Sequence, residues 1–292
     1  MPRRCHHLRH ARAFTMVELL TVVGITALLL GILMPAIASA RATSRMLGSQ
    51  SNLKQWGTGT INYAATYKDL LPWEGYKGAP EMHLNFAEPA WWANAVPPFV
   101  GQPAYGVLSA QATAAGRNVP IPGDDSGSIF IDPAAKVPEG APHIGGLPGD
   151  PKQFFFCYVP NLQLNATLEA EIALGGGNSA LPGARMRLSS IKNSSATVLM
   201  LEMRSVKSEL RADDPFYTYT LVRARSDWKR LAARHRGGGH VLMADGHVQH
   251  VEFKYATTNS AGTRDPNEPN ADWNKPDLIW NPRGPAVEGP GS

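Results

Sequence analysis

FTMVELLTVVGITALLLGILM, residues 14–34, holds a single ionisable side chain, Glu18. As a helix rising 1.5 Å per residue, this run spans roughly 31 Å, the thickness of a bilayer's hydrocarbon core. The thirteen residues before it contain Arg3, Arg4, Arg9 and Arg12 and no acid. Such a cationic flank stays on the cytoplasmic side, so the chain after Met34 is expected outside the cytoplasm. The sequence has a formal net charge of +4. That excess belongs to the leader, and the remaining chain carries as many acidic as basic residues. A balanced body without a basic stripe offers no electrostatic footprint for nucleic acid.

Three readings fit the apolar run. It can be a plain membrane anchor. It can be a secretory signal, because Ala38-Ser39-Ala40 after Pro35 has the form of a signal-peptidase site, although the run exceeds the usual length of a signal core. The third reading gives the buried acid a reason. Ala13-Phe14-Thr15-Met16-Val17-Glu18-Leu19-Leu20 resembles the processing site of type IV prepilins and type II secretion pseudopilins. The resemblance implies cleavage between Ala13 and Phe14 by a prepilin peptidase, and N-methylation of the Phe14 amine. It assigns Glu18 to docking against sister subunits, where a carboxylate can neutralise a neighbour's terminal amine in a medium poor in water. Pro35 stands where such subunits often carry a helix-shaping proline. The family usually has glycine before the cut, where this chain has Ala13.

Beyond Pro35, the residues Met46, Leu53, Trp56, Thr60, Tyr63 and Tyr67 recur at helical spacing, so a helix is expected to about Tyr67 and to end before Pro72. Gly48, Gly57 and Gly59 each weaken a helix by about 1 kcal/mol relative to alanine, which makes its outer half dependent on packing against a body. Strands are expected at 153–159, 196–203 and 216–223. The stretch 73–150 reads as loops and short elements. Trp91-Trp92 offers either a carbohydrate platform or, the reading preferred here, a cluster packed on the body. Gly175-Gly176-Gly177 lacks the lysine and hydroxyl residues of a phosphate loop. Of the two cysteines, Cys5 lies in the leader and Cys157 is alone in the body.

The stretch 235–253, HRGGGHVLMADGHVQHVEF, reads as a hairpin around Asp245-Gly246. A two-residue turn there would set Ala244 opposite His247, Met243 opposite Val248 and His240 opposite Val251. That register puts His240 and His247 roughly 13 Å apart along one face and turns His250 to the other. It therefore predicts no metal clamp. His235, nine residues, then Asp245-Gly246 resembles the terminal signature of the H-x9-DG subgroup of prepilin-like proteins. Asn52-Leu53-Lys54-Gln55 and the stretch 189–202 ending VLMLE are similar to the same subgroup. Where related chains often read Cys-Pro, this one has Asp132-Pro133, which leaves Cys157 without the partner the resemblance implies. The oxygen-rich loop from Asp265 to Asp272 lacks the spacing of an EF-hand and is read as solvated.

The expected architecture is α+β and type IV pilin-like: a long N-terminal helix, transmembrane in its first half, packed on an antiparallel sheet in an external domain. Its parts are a leader (1–13), the membrane half of the helix (14–34), the external half (35–71), the external domain (72–283) and a flexible tail (284–292). The resemblance implies a non-enzymatic subunit with no cofactor. It also implies the prepilin peptidase, pilin-like subunits and the inner membrane as partners, in a type II secretion or type IV pilus-like machine. The alternative is an exported enzyme or carbohydrate-binding protein for which the apolar run is only an address or anchor.

Overall fold

A computed structural model describes residues 15–75, 87–115, 127–136, 156–165, 185–217, 224–266, 268 and 271–286. The chain divides into two compact units, Met1–Ser44 and Arg45–Ser292. Helix α1 (Met16–Thr66) supplies residues to both and carries Pro35 in its interior. Over its first half an 18-residue window has a mean hydropathy of 2.4 with none of the window buried. It is, among the described residues, one helix long and apolar enough to cross a membrane. Pro35 has no N–H to offer the carbonyl of Gly31, four residues back, so one rung of the helical ladder is missing there.

The second unit is α+β. Strands β1 (Tyr158–Pro160), β2 (Val198–Glu202), β3 (Gly238–Met243) and β4 (Val248–Glu252) form one antiparallel sheet in that order. Short α-helices α2 (Trp92–Ala95), α3 (Tyr105–Ala114) and α4 (Phe253–Ala256) accompany the sheet, with 3-10 turns between the elements. Pro160 ends β1 on the sheet's edge, where a missing donor does no harm. A bulge interrupts β2 between Val198 and Met200, and the Leu199 carbonyl accepts from the Asn161 amide at 3.0 Å.

The outer half of α1 packs into the body through Ser49, Leu53, Trp56, Gly57, Gly59, Thr60, Tyr63 and Ala64, all buried. This is the face the helical spacing predicts, except that Met46 and Tyr67 stay outside the fully buried stripe. Gly57 and Gly59 prove to be points of close approach. A Cβ on Gly57 would meet Leu242 Cδ1 at 2.8 Å; one on Gly59 would meet Val96 Cγ1 at 2.6 Å and the Val96 carbonyl oxygen at 3.1 Å. The helix gives up propensity at these positions to bring its backbone against its neighbours. Gly59→Ala is therefore expected to destabilise the body by about 1–3 kcal/mol, because overpacking outweighs the roughly 1 kcal/mol gained in helix propensity. Denaturant titration followed by tryptophan emission measures it.

All seven tryptophans of the chain are buried, at Trp56, Trp73, Trp91, Trp92, Trp228, Trp273 and Trp280. Trp56 packs on Trp92 and on Phe130, each with ring centroids 5.1 Å apart, and Trp92 lies 5.1 Å from Phe156. A second cluster stacks Trp228 on Trp273 at 4.9 Å. Trp91 and Trp92 are thus core residues and present no platform to a sugar.

Several sequence expectations change here. The strand expected at 153–159 is observed as Tyr158–Pro160, with Phe156 and Cys157 buried just before it; residues 153–155 lie outside the described residues. Of the strand expected at 216–223, Phe216 and Tyr217 lie in turns, and 218–223 lie outside the described residues, as do Gly175-Gly176-Gly177. The tail expected from Gly284 is tied down at its start. Ala286 is buried, its amide donates to Asp272 Oδ1 at 2.7 Å, and its carbonyl accepts from Trp273 at 3.0 Å. The rest of the tail lies outside the described residues, as do 267, 269 and 270 of the oxygen-rich loop. In that loop Asp272 Oδ1 also accepts from the Asn274 amide at 2.9 Å, so it caps backbone.

Candidate functional site

Ala13 and Phe14 lie outside the described residues. Thr15 stands immediately before the first turn of α1, and its backbone N–H and hydroxyl donate to Glu18 Oε2 at 2.9 and 2.8 Å. The Glu18 amide donates back to Thr15 Oγ1 at 3.2 Å. This is a capping box, in which a threonine and a glutamate three residues on satisfy each other's free amides at a helix start. Thr15-Met16-Val17-Glu18 carries that signature in the sequence, and the reading above missed it. Within one chain, Glu18 thus already has local donors, and the positive end of the helix dipole favours its charge.

The His235, Asp245 and Gly246 signature does not converge. His235 precedes β3, pairing with Gly238 through reciprocal backbone hydrogen bonds of 2.9 Å, while Asp245 and Gly246 follow the strand's far end. The turn has three residues, Ala244-Asp245-Gly246, closed by the Met243 amide donating to the His247 carbonyl at 2.9 Å. Only Gly246 of these has a positive φ, +87°. That pattern is a type I turn followed by a left-handed residue. Asp245 Oδ1 accepts from the His247 amide at 3.0 Å and lies 2.7 Å from its Nδ1. The Gly246 carbonyl accepts from Lys54 Nζ at 2.7 Å, and a Cβ there would meet Ile61 Cδ1 at 2.8 Å. Glycine is needed both for the turn and for its seat on α1.

The extra turn residue shifts the hairpin by one position from the expected register. His240 faces His250, Val241 faces Gln249 and Leu242 faces Val248. Because side chains alternate along a strand, this slip moves every β4 residue to the opposite face relative to its expected partner. The argument that dispersed the histidines falls with it. Tyr158 pairs with Glu202, and continuing the β2–β3 register past Leu201 and Val241 sets Glu202 beside His240. Tyr158, Glu202, His240 and His250 therefore form one row across the sheet.

Ser49 and Gln50 of α1 cover Tyr158, Glu202 and His240 of this row, while His250 at its end is exposed. The Ser49 hydroxyl touches Tyr158 OH at 2.9 Å, Asp132 Oδ2 at 3.3 Å and Glu202 Oε1. Gln50 Nε2 lies 3.0 Å from His240 Nε2. Glu202 Oε2 accepts from the His240 amide at 2.9 Å, and Oε1 lies 2.8 Å from His240 Nδ1. His235 Nε2 lies 3.3 Å from Asp132 Oδ2 and 3.6 Å from Glu202 Oε1. Arg234 reaches Asp132 Oδ2 at 2.7 Å, Glu209 Oε2 at 3.1 Å and the Met203 carbonyl at 2.7 Å.

Burial favours the neutral form of Asp132, but the Arg234 guanidinium and the His235 hydrogen bond outweigh it and hold the carboxyl far below its ordinary range. Burial likewise works against the charged form of His235, yet Asp132 and Glu202 together raise its pKa above the ordinary value. The Cys157 thiol is pushed up to about 12, chiefly by burial, so it is protonated and unreactive at neutral pH. The Asp132 backbone, close to this thiol, works in the opposite direction to burial but is outweighed by it. Position 132 thus lies against Cys157, and an aspartate there forecloses a disulfide while serving the ion cluster.

Ser49, His235 and Asp132 lie together, but the Ser49 hydroxyl bonds to carboxylates and a phenol and is wholly buried. It has neither the imidazole base nor the access that an activated serine needs. Glu202, His235 and His240 do present ligand atoms within 4.8 Å of one another. The sequence offered a sign of this cluster in acids that end or interrupt apolar runs: Asp132 in IFID and Glu202 in VLMLE.

Residues 38–108 match the family model SBP_bac_10, described as a protein of unknown function (DUF1559). The match covers the outer half of α1, with Ser49 and Gln50, and reaches into α3. It includes neither Glu18 nor the hairpin. No curated protein matches the chain, and no solved structure does.

Proposed function

We propose that the chain is a pilin-like structural subunit of the pseudopilin type, without catalytic activity. A prepilin peptidase cuts between Ala13 and Phe14, and the Phe14 amine is methylated. The first half of α1 is held in the inner membrane or stacked against sister subunits in an envelope filament, and the body lies outside the cytoplasm. The match to the H-x9-DG signature at His235, Asp245 and Gly246 supports the same assignment.

The observation that carries this reading is the first half of α1, an apolar surface left uncovered by the chain itself with one carboxylate near its start. A soluble body would not leave so continuous a stripe in water. In a filament, neighbouring helices cover it. Glu18 Oε2 is held by Thr15; the carboxylate retains acceptor capacity for a neighbour's methylated amine. The capping box then fixes the orientation of the acid before docking. The alternative of an exported carbohydrate-binding protein loses its main support, because Trp91 and Trp92 are buried.

Two measurements test the proposal. Mass spectrometry of the mature N-terminus is expected to find methylated Phe14; a chain starting at Arg41, or an intact leader, overturns it. Glu18→Gln keeps a capping acceptor and loses the charge, so it is expected to abolish co-assembly, read by crosslinking between subunits, while membrane insertion is unchanged. Undiminished crosslinking would reduce Glu18 to a helix cap.

A further inference from the structure

We propose that the buried cluster between α1 and the sheet is a binding site for one divalent transition metal ion of the zinc type, held by His235 Nε2, His240 Nδ1 and Glu202 Oε1, whose ligand atoms lie within 4.8 Å of one another, with a water oxygen as fourth ligand. The inference is independent of the assembly reading, since it concerns the body alone.

Spacing is the first argument. A tetrahedral ion with bonds of 2.0–2.1 Å places neighbouring ligand atoms about 3.3 Å apart. The three ligand atoms all lie within 4.8 Å of one another, and the observed separations are 2.8 Å from Glu202 Oε1 to His240 Nδ1 and 3.6 Å from Glu202 Oε1 to His235 Nε2. They bracket the tetrahedral edge. Three donor atoms converge from two separate segments, the end of β2 and the start of the hairpin.

Charge is the second. Arg234 pairs Asp132 and Glu209, and Arg204 also faces Glu209; among the described residues the ion pairs of Glu202 are with His235 and His240. With both imidazoles neutral, Glu202 is left as a carboxylate facing no cation of its own, and its side chain is 0% exposed. Uncompensated buried charge is costly. A divalent cation supplies the missing positive charge and requires the imidazoles neutral at the ligating nitrogen, so binding releases any proton held there.

The surroundings supply the third. A metal on His240 Nδ1 leaves the proton on Nε2, where Gln50 lies 3.0 Å away. Turning the Gln50 amide by half a rotation puts its oxygen there as acceptor, the outer-shell hydrogen bond that metal-bound histidines characteristically make. Ser49 and Tyr158 hydroxyls ring the carboxylates in the same role. Two imidazoles favour zinc-type ions over calcium or magnesium, which take oxygen ligands.

The test uses the full chain in detergent with Cys5→Ser, His6→Ala, His7→Ala and His10→Ala throughout, so that the leader cannot chelate. After stripping with a chelator, Zn²⁺ is titrated by calorimetry and Co²⁺ by its visible d–d absorption. One ion per chain is expected, with the intense bands of tetrahedral cobalt and an X-ray absorption first shell of two imidazole nitrogens and two oxygens. His235→Gln and His240→Gln should each weaken binding by more than the roughly 10–100-fold that loss of an outer-shell partner costs; exposed His247→Gln should leave it unchanged. Absence of stoichiometric binding, a six-oxygen shell, or undiminished affinity in either folded glutamine variant overturns the proposal. If both variants unfold, the metal shell of the parent chain decides.

Discussion

Arg234→Ala is expected to destabilise the body by about 3–5 kcal/mol, the cost of removing one partner from a buried ionic group. The guanidinium is 4% exposed and joins Asp132 and Glu209, so its loss leaves two carboxylates facing each other's field in a dry interior. It also strands the Met203 carbonyl, its third acceptor. The sign of the pH dependence follows from Asp132. Its folded-state pKa lies below the ordinary 3.8, so its ionised form contributes stability that is present above that value and is lost as pH falls below it. In the variant the same carboxyl takes up a proton more readily. The gap between parent and variant is therefore widest near neutral pH and narrows in acid. Denaturant titrations between pH 3 and 7 with chelator present measure it, and a constant gap would mean that Asp132 is not held by Arg234.

Trp56→Ala carries a comparable cost, about 3–5 kcal/mol, because a large buried side chain is replaced by a cavity. The indole is wholly buried between Trp92 and Phe130, and its Nε1–H donates to the Ile129 carbonyl at 2.8 Å. It thereby ties α1 to the 127–136 loop that carries Asp132. Trp56→Phe keeps most of the ring packing and loses the hydrogen bond. Its expected cost is smaller, about 1–3 kcal/mol for the buried carbonyl left unpaired. Unfolding monitored by far-ultraviolet circular dichroism separates the two variants. Equal losses would mean that the hydrogen bond, not the ring volume, dominates.

The fold was legible where a pattern has one physical cause. The apolar run, the helical stripe through Leu53, Trp56, Thr60 and Tyr63, and the strand ATVLMLEM all declare themselves by periodicity or composition. The hairpin was legible in kind and wrong in register. Asp-Gly suits a two-residue turn, but here Gly246 is the left-handed third residue of a longer one, and the choice is settled by its contact with Lys54 and Ile61, which no local propensity records. The cluster was hidden for a related reason. His240 comes near Glu202 only in the register the tertiary contact selects, and Asp132 arrives from a loop 70 residues before Glu202. Sequence alone assigned the glycines of α1 a cost without their use, since Leu242 and Val96 are distant in the chain.

The three-residue turn shows what the nine residues between His235 and Asp245-Gly246 do in this chain. Strand β3 is held at both ends, by reciprocal hydrogen bonds at His235 and Gly238 and by Gly246 seated against the helix. Between these anchors His240 and Leu242 share the side that faces the helix. The interval is a ruler with two stops: lengthened or shortened by one, it would keep the strand and its hydrogen bonds but turn His240 and Leu242 away from the helix, to the sheet's other face, where Val241 and Met243 are buried.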